Sequence, residues 1–157
     1  ACVKNDEKYI GVIYEPCNDE LFAAEKGKGG TVNGTPLSVS GSASLSNGSV
    51  GLGYNSRGRK QATKDVINDL IDQGGIFFRN ASGGLMLAYV ASGRLIGYVE
   101  EHMHSWDCMA GLTLVEEAGG IVQEIDVVDA VMNGCKVVAG CPGAYEQIKA
   151  LADKNFI

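Results

Sequence analysis

The chain has 157 residues, a formal net charge of −6, and 45% hydrophobic against 20% charged residues. This is the balance of a globular protein long enough to bury a core. With no basic run, the acidity argues against nucleic acid as a partner, and no apolar stretch approaches the roughly 20 residues needed to span a membrane. Five cysteines without a CxxC pair argue against a disulfide framework and for reduced, mostly buried thiols in a cytoplasmic protein.

In chain order, residues 8–14 and 20–25 read as two strands joined by the turn Pro16-Cys17-Asn18-Asp19. Asn33-Gly34 is the strongest short hairpin signal, and residues 36–39 follow as a strand that Pro36 confines to an edge. Residues 40–49, rich in Ser, Gly and Asn, read as a crossover. A strand is expected at 50–54 and a polar loop at 55–60. Helical spacing of Val66, Ile67, Leu70 and Ile71 predicts a helix over 63–73, stopped by Gly74. Further strands are expected at 76–79, 95–100, 121–125 and 136–139, and helices at 85–92, 107–118 and 144–153. Strands alternating with helices over 50–157 predict a sheet covered by helices on both faces.

Two segments concentrate chemistry. Residues 100–107, EEHMHSWD, bring together Glu100, Glu101, His102, His104 and Asp107. His102 and His104 alternate along a strand, and carboxylates and imidazoles both ligate first-row metals; the other reading is a solvated strand end. Asp107 falls at the predicted start of an apolar helix, sharing a face with Gly111, Leu114, Val115 and Ala118. There a carboxylate either caps the helix or is held rigidly as a metal ligand. Ser82-Gly83-Gly84 precedes another helix and is either an entry turn or a set of N–H groups presented to an anion. Arg79 either pairs with a carboxylate or stands as a surface residue. Cys108 lacks the base and orienting group that a cysteine nucleophile needs.

The wording of residues 105–122, SWDCMAGLTLVEEAGGIV, closely resembles the second signature of the inositol monophosphatase family, magnesium-dependent and lithium-sensitive phosphomonoesterases. Residues 8–40 resemble the hairpins after that family's first metal-binding motif, and residues 79–107 the helix and strand leading into its WD pair. The match is weakest between Ser42 and Ile76.

The resemblance implies a layered α/β sandwich: a mixed sheet flanked by helices in a carboxy-terminal domain (41–157), preceded by an antiparallel meander from the amino-terminal sheet (1–40). It implies hydrolysis of an inositol, sugar or nucleotide phosphate monoester by metal-activated water, with no protein nucleophile. Asp107 would coordinate Mg2+. Glu100, seven residues earlier, would meet substrate hydroxyls. Ser82, Gly83 and Gly84, together with Asn55 and Ser56, would face the substrate. Glu101 and His102 stand where the family usually carries small or apolar residues, which puts a different charge on the expected pocket rim. A homodimer is expected. The family's Glu-bearing helix and DPIDGT-type loop are not in this sequence, so the chain resembles the carboxy-terminal part of a larger enzyme and is expected to show little activity alone. The competing expectation is a non-catalytic module that folds, dimerises or binds an anion without turnover.

Overall fold

The computed structural model describes residues 1–55 and 58–156. Its first part is a five-stranded antiparallel meander, β1 (Cys2–Lys4), β2 (Glu7–Glu15), β3 (Glu20–Glu25), β4 (Gly29–Val32) and β5 (Thr35–Pro36), in spatial order 1-2-3-4-5. Its turns follow from local chemistry. Asn33 and Gly34 both take positive φ, 47° and 81°, as a two-residue hairpin matching the strand twist requires. The Asn33 side chain accepts from the Leu21 amide and donates to the Asp19 carbonyl, both at 2.8 Å, tying this hairpin to the previous one. Along β3, Phe22 and Ala24 point into the core. Fully burying a residue like Phe22 is worth about 1.5–3 kcal/mol.

The second part is a mixed sheet in the order β7-β6-β8-β10-β9, made of β6 (Ser49–Leu52), β7 (Ile76–Phe78), β8 (Gly97–Met103), β9 (Ile121–Val122) and β10 (Cys135–Gly140). β6, β7 and β8 run parallel, and β10 runs antiparallel to β8 and β9. Helices α1 (Lys60–Asp72) and α5 (Tyr145–Asn155) cover one face. Helices α2 (Gly83–Ala91) and α3 (Ser105–Glu117) lie on the other face and also pack under the meander, so one hydrophobic core joins Phe22, Ala24 and Leu37 to Met86, Leu87, Leu114 and Val115. The layers therefore run sheet, α2–α3, sheet, α1–α5: the layered α/β sandwich expected. Polar ties reinforce the upper joint. The Glu117 carboxylate at the end of α3 accepts the amides of Gly27 and Gly29, each at 2.8 Å, and Lys8 pairs with Glu116 at 3.0 Å.

Several local expectations are corrected. β1 and α4 (Val127–Asn133) appear where no element was expected, the helix started by Asp126, whose carboxylate accepts the Asp129 amide at 2.9 Å. The strand expected at 36–39 is only Thr35–Pro36, and that at 121–125 only Ile121–Val122. α1 begins at Lys60, and Ile71 on its expected inner face is exposed. α3 begins at Ser105, so Asp107 is its third residue. The expected single buried face is also too narrow: Cys108, Met109, Gly111, Leu112, Thr113, Leu114 and Val115 are all buried, because this helix is enclosed between two sheets.

Candidate functional site

A cavity of about 450 Å³ opens where the carboxy-terminal ends of the parallel strands meet the amino-terminal ends of α2 and α3. Open α/β sheets place their ligands at such strand ends. Gly53, Tyr54 and Asn55 follow β6, Arg79 follows β7, and Glu100, His102 and Met103 end β8. Ser82, Gly83 and Gly84 begin α2, and Trp106 and Asp107 begin α3. The fold thus brings together every expected site residue that lies within the described chain. Ser56 lies outside the described residues.

Two carboxylates there are held in opposite ways. Glu100 is buried, with 7% of its surface exposed, and both its oxygens are engaged. Tyr98 donates its hydroxyl to Oε2 at 2.5 Å, and Asn55 donates Nδ2 to Oε1 at 2.8 Å and to the His102 carbonyl at 2.7 Å. Burial, followed by the nearby Glu100 charge, pushes the Tyr98 phenol well above its ordinary range, so it stays a donor. Gly53 is required beside this pair, since a Cβ on it would sit 2.1 Å from Glu100 Oε2. The Asp107 carboxylate, by contrast, is exposed to the cavity, and among the described residues no hydrogen bond or ion pair engages it. It is therefore not consumed in capping; the position before the helix belongs to His104, whose carbonyl accepts the Asp107 amide at 2.9 Å.

At α2, Ser82 spends its hydroxyl on the Leu85 amide at 3.4 Å, and its own amide donates to Asn80 at 3.0 Å. The Gly83 and Gly84 amides belong to the first turn, whose donors have no intrahelical acceptor, and both glycines line the cavity. Ser82 thus builds the helix end, and the two glycines present it. Gly83 also permits close approach, because a Cβ there would lie 2.5 Å from the Met103 methyl and 2.8 Å from the Tyr98 hydroxyl. Arg79 lies at the rim, donating to the Tyr54 carbonyl at 3.4 Å.

The histidine metal site is not assembled. His102 meets His104 edge to face at 5.3 Å, and His104 stacks on Trp106 at 4.2 Å. Among the described residues, no three or more His, Cys, Asp or Glu side chains converge as a metal site. Nor does Glu101 charge the rim. Arg59 takes it away, donating Nε at 2.7 Å and its amide at 2.6 Å, so Glu101 pins the start of α1. His102 does line the cavity. Reasoning on the sequence missed Tyr98 and Gly53. Tyr98 was within reach of it, because residues two apart on a strand share a face.

A polar cavity at the strand ends of a layered α/β sandwich, with one free carboxylate and one helix end facing it, defines a small-ligand site. The chain belongs to the inositol monophosphatase family, whose model matches residues 1–154. It is 38% identical over 143 residues to the inositol-1-monophosphatase of Mesorhizobium japonicum, covering 89% of this chain and 53% of that protein. It is 34% identical over 139 residues to the Nus factor SuhB of Haemophilus influenzae, covering 87% of this chain and 52% of the relative. The solved structure of the Thermotoga maritima IMPase superposes with a TM-score of 0.85 at 26% identity, over 97% of this chain and 58% of that one. The chain thus spans about half the length of the curated relatives it matches. Relatives named Nus factor leave the expectation against nucleic acid, drawn from charge, without support. Among the described residues, no helix is long and apolar enough to cross a membrane.

Proposed function

We propose that this chain supplies the Asp107–Glu100 side of a site that hydrolyses a small phosphate monoester, an inositol phosphate or a related sugar or nucleotide phosphate. The observation that carries the reading is the unpartnered Asp107 carboxylate, fixed on the most enclosed helix of the fold and facing the same cavity as the first turn of α2. An exposed oxygen ligand at a rigid helix start fits Mg2+, which prefers carboxylate and water. The described residues offer Asp107 as that ligand, with the remaining positions left to water, phosphate or other carboxylates. Bound there, Mg2+ would activate water and stabilise charge on the phosphoryl oxygens.

The chain's own residues bind and orient. The α2 amides of Gly83 and Gly84 face an anionic group. Glu100, fixed by Tyr98 and Asn55, accepts a substrate hydroxyl with its spare lone pairs. Assembly as a homodimer and residence in the cytoplasm belong to the same reading.

The test measures phosphate release from inositol monophosphate against Mg2+ concentration in a full-length parent that joins this chain to the family's upstream metal-binding motifs, and in its Asp107→Asn variant, since the chain alone is expected to release little. The expected outcome is Mg2+-dependent release that the substitution lowers by more than roughly 100-fold, beyond the usual cost of losing a group that only orients a ligand. Equal rates and equal Mg2+ dependence in the two proteins would sink the proposal.

A second reading, a module that binds without turnover, draws on relatives named Nus factor SuhB. It gains if the parent releases no phosphate while inorganic phosphate still raises its melting temperature.

A further inference from the structure

Outside the cavity, one pair of reactive groups has no part in the proposed hydrolysis. The sulfurs of Cys108 and Cys135 lie 3.9 Å apart, joining the first turn of α3 to the first residue of β10. We propose that this pair is a reversible dithiol–disulfide site, oxidised by small-molecule disulfides of the glutathione class, that fastens the start of α3 to the mixed sheet.

Geometry supports the site from both sides. Disulfide sulfurs sit about 2.05 Å apart, so the two must approach by roughly 2 Å. Cys135 is placed to yield. It follows Gly134, whose φ is 79°, and the pairing of β10 with β8 shifts register between Cys135 and Val137. That interruption leaves the strand start less firmly held than its centre. Access is one-sided: Cys108 is fully buried, whereas Cys135 is half-buried and can meet an outside reagent. The other cysteines cannot substitute. Cys2 and Cys17 are exposed on the meander, and Cys141 is buried in the core beneath α5.

The exchange runs in two steps. The Cys135 thiolate attacks one sulfur of the small disulfide, forming a mixed disulfide and releasing one thiolate. Cys108 then attacks the Cys135 sulfur, its proton passing to solvent, and expels the second thiolate. Two protein thiols are oxidised and one small disulfide is reduced to two thiols. Asp107 immediately precedes Cys108, so the cross-link grips the same helical turn that faces the cavity. The chemistry itself does not depend on the phosphatase reading.

The experiment exposes the full chain to glutathione disulfide, blocks remaining thiols with an alkylating agent, and maps peptides by mass under non-reducing conditions. The expected result is a linked Cys108–Cys135 peptide pair lacking two hydrogens, fully restored by dithiothreitol. It is absent in Cys135→Ser and retained in a Cys2→Ser, Cys17→Ser double variant. A persistent glutathione adduct on Cys135 with Cys108 still alkylated would overturn the proposal. So would links confined to Cys2 or Cys17, or both target thiols remaining free.

Discussion

The two helical layers bury apolar side chains under different constraints. α1 and α5 lie on one face of the mixed sheet and keep a polar outer side: Val66, Leu70, Ile148 and Leu151 are buried, while Ile71, Glu146 and Lys149 face outward. α2 and α3 lie between two sheets and against each other, so nearly every side of α3 is covered. Close approach there depends on glycine. A Cβ at Gly111 would sit 2.4 Å from that of Leu87, and one at Gly11 would sit 2.3 Å from the Ala110 carbonyl. An outer helix needs only an apolar stripe, whereas an enclosed one needs complementary shape on every side. The site residue Asp107 stands on the enclosed helix, where surrounding packing fixes its direction.

This contrast can be broken at three levels. The largest effect is expected for Leu114→Ala, which empties a fully buried position in α3 and should cost about 2–5 kcal/mol in urea unfolding. A loss no greater than that of a surface substitution would show that α3 is not the packed centre. Next is Gly11→Ala. Its new methyl meets a backbone carbonyl that cannot rotate away, so about 1–3 kcal/mol of destabilisation is expected from the same measurement. Neutral or increased stability would mean that the meander can lift off α3 without loss.

The smallest effect concerns the outer layer, where polar ties join α1 to α5. The Asn155 amide and then Lys154 hold the Asp69 carboxyl below its ordinary range, as Lys136 and then Lys149 do for Asp153. A lowered folded-state pKa gives stability that is fully present above the unfolded value near 4 and lost as pH falls through the folded value. The melting temperature should therefore drop below about pH 4, and Asp69→Asn should flatten part of that slope. An unchanged slope would separate Asp69 from the acid response.

Much of this was legible because it is local. The Asn33-Gly34 hairpin and the glycine stop at Gly74 each depend on a few adjacent residues, and each matches the structure within a residue or two, whereas strand ends such as those expected at 125 and 100 fall three residues away. The short α4 was not legible, since seven residues give too little periodicity. At the site, the wording around Trp106-Asp107 pointed to the family, and the residues that the resemblance named at strand and helix ends all line one cavity where they lie within the described chain. The histidine pair misled because β8 ends at Met103, so His104 leaves the strand to precede α3 and stacks on Trp106 instead of sharing a strand face with His102. Glu101 misled as well, because its partner Arg59 lies 42 positions away.

The sequence by itself determined the layered α/β class, the family and the identity of the candidate ligand, because propensity, turn chemistry and motif wording are written in neighbouring residues. Only the tertiary structure decided which carboxylate is spent and which is free. Glu100 is bound by Tyr98 and Asn55, and Asp107 is left open to the cavity. That assignment depends on β6, β8, α2 and α3 converging, and on which donors the packing of those elements brings within about 3 Å of each oxygen.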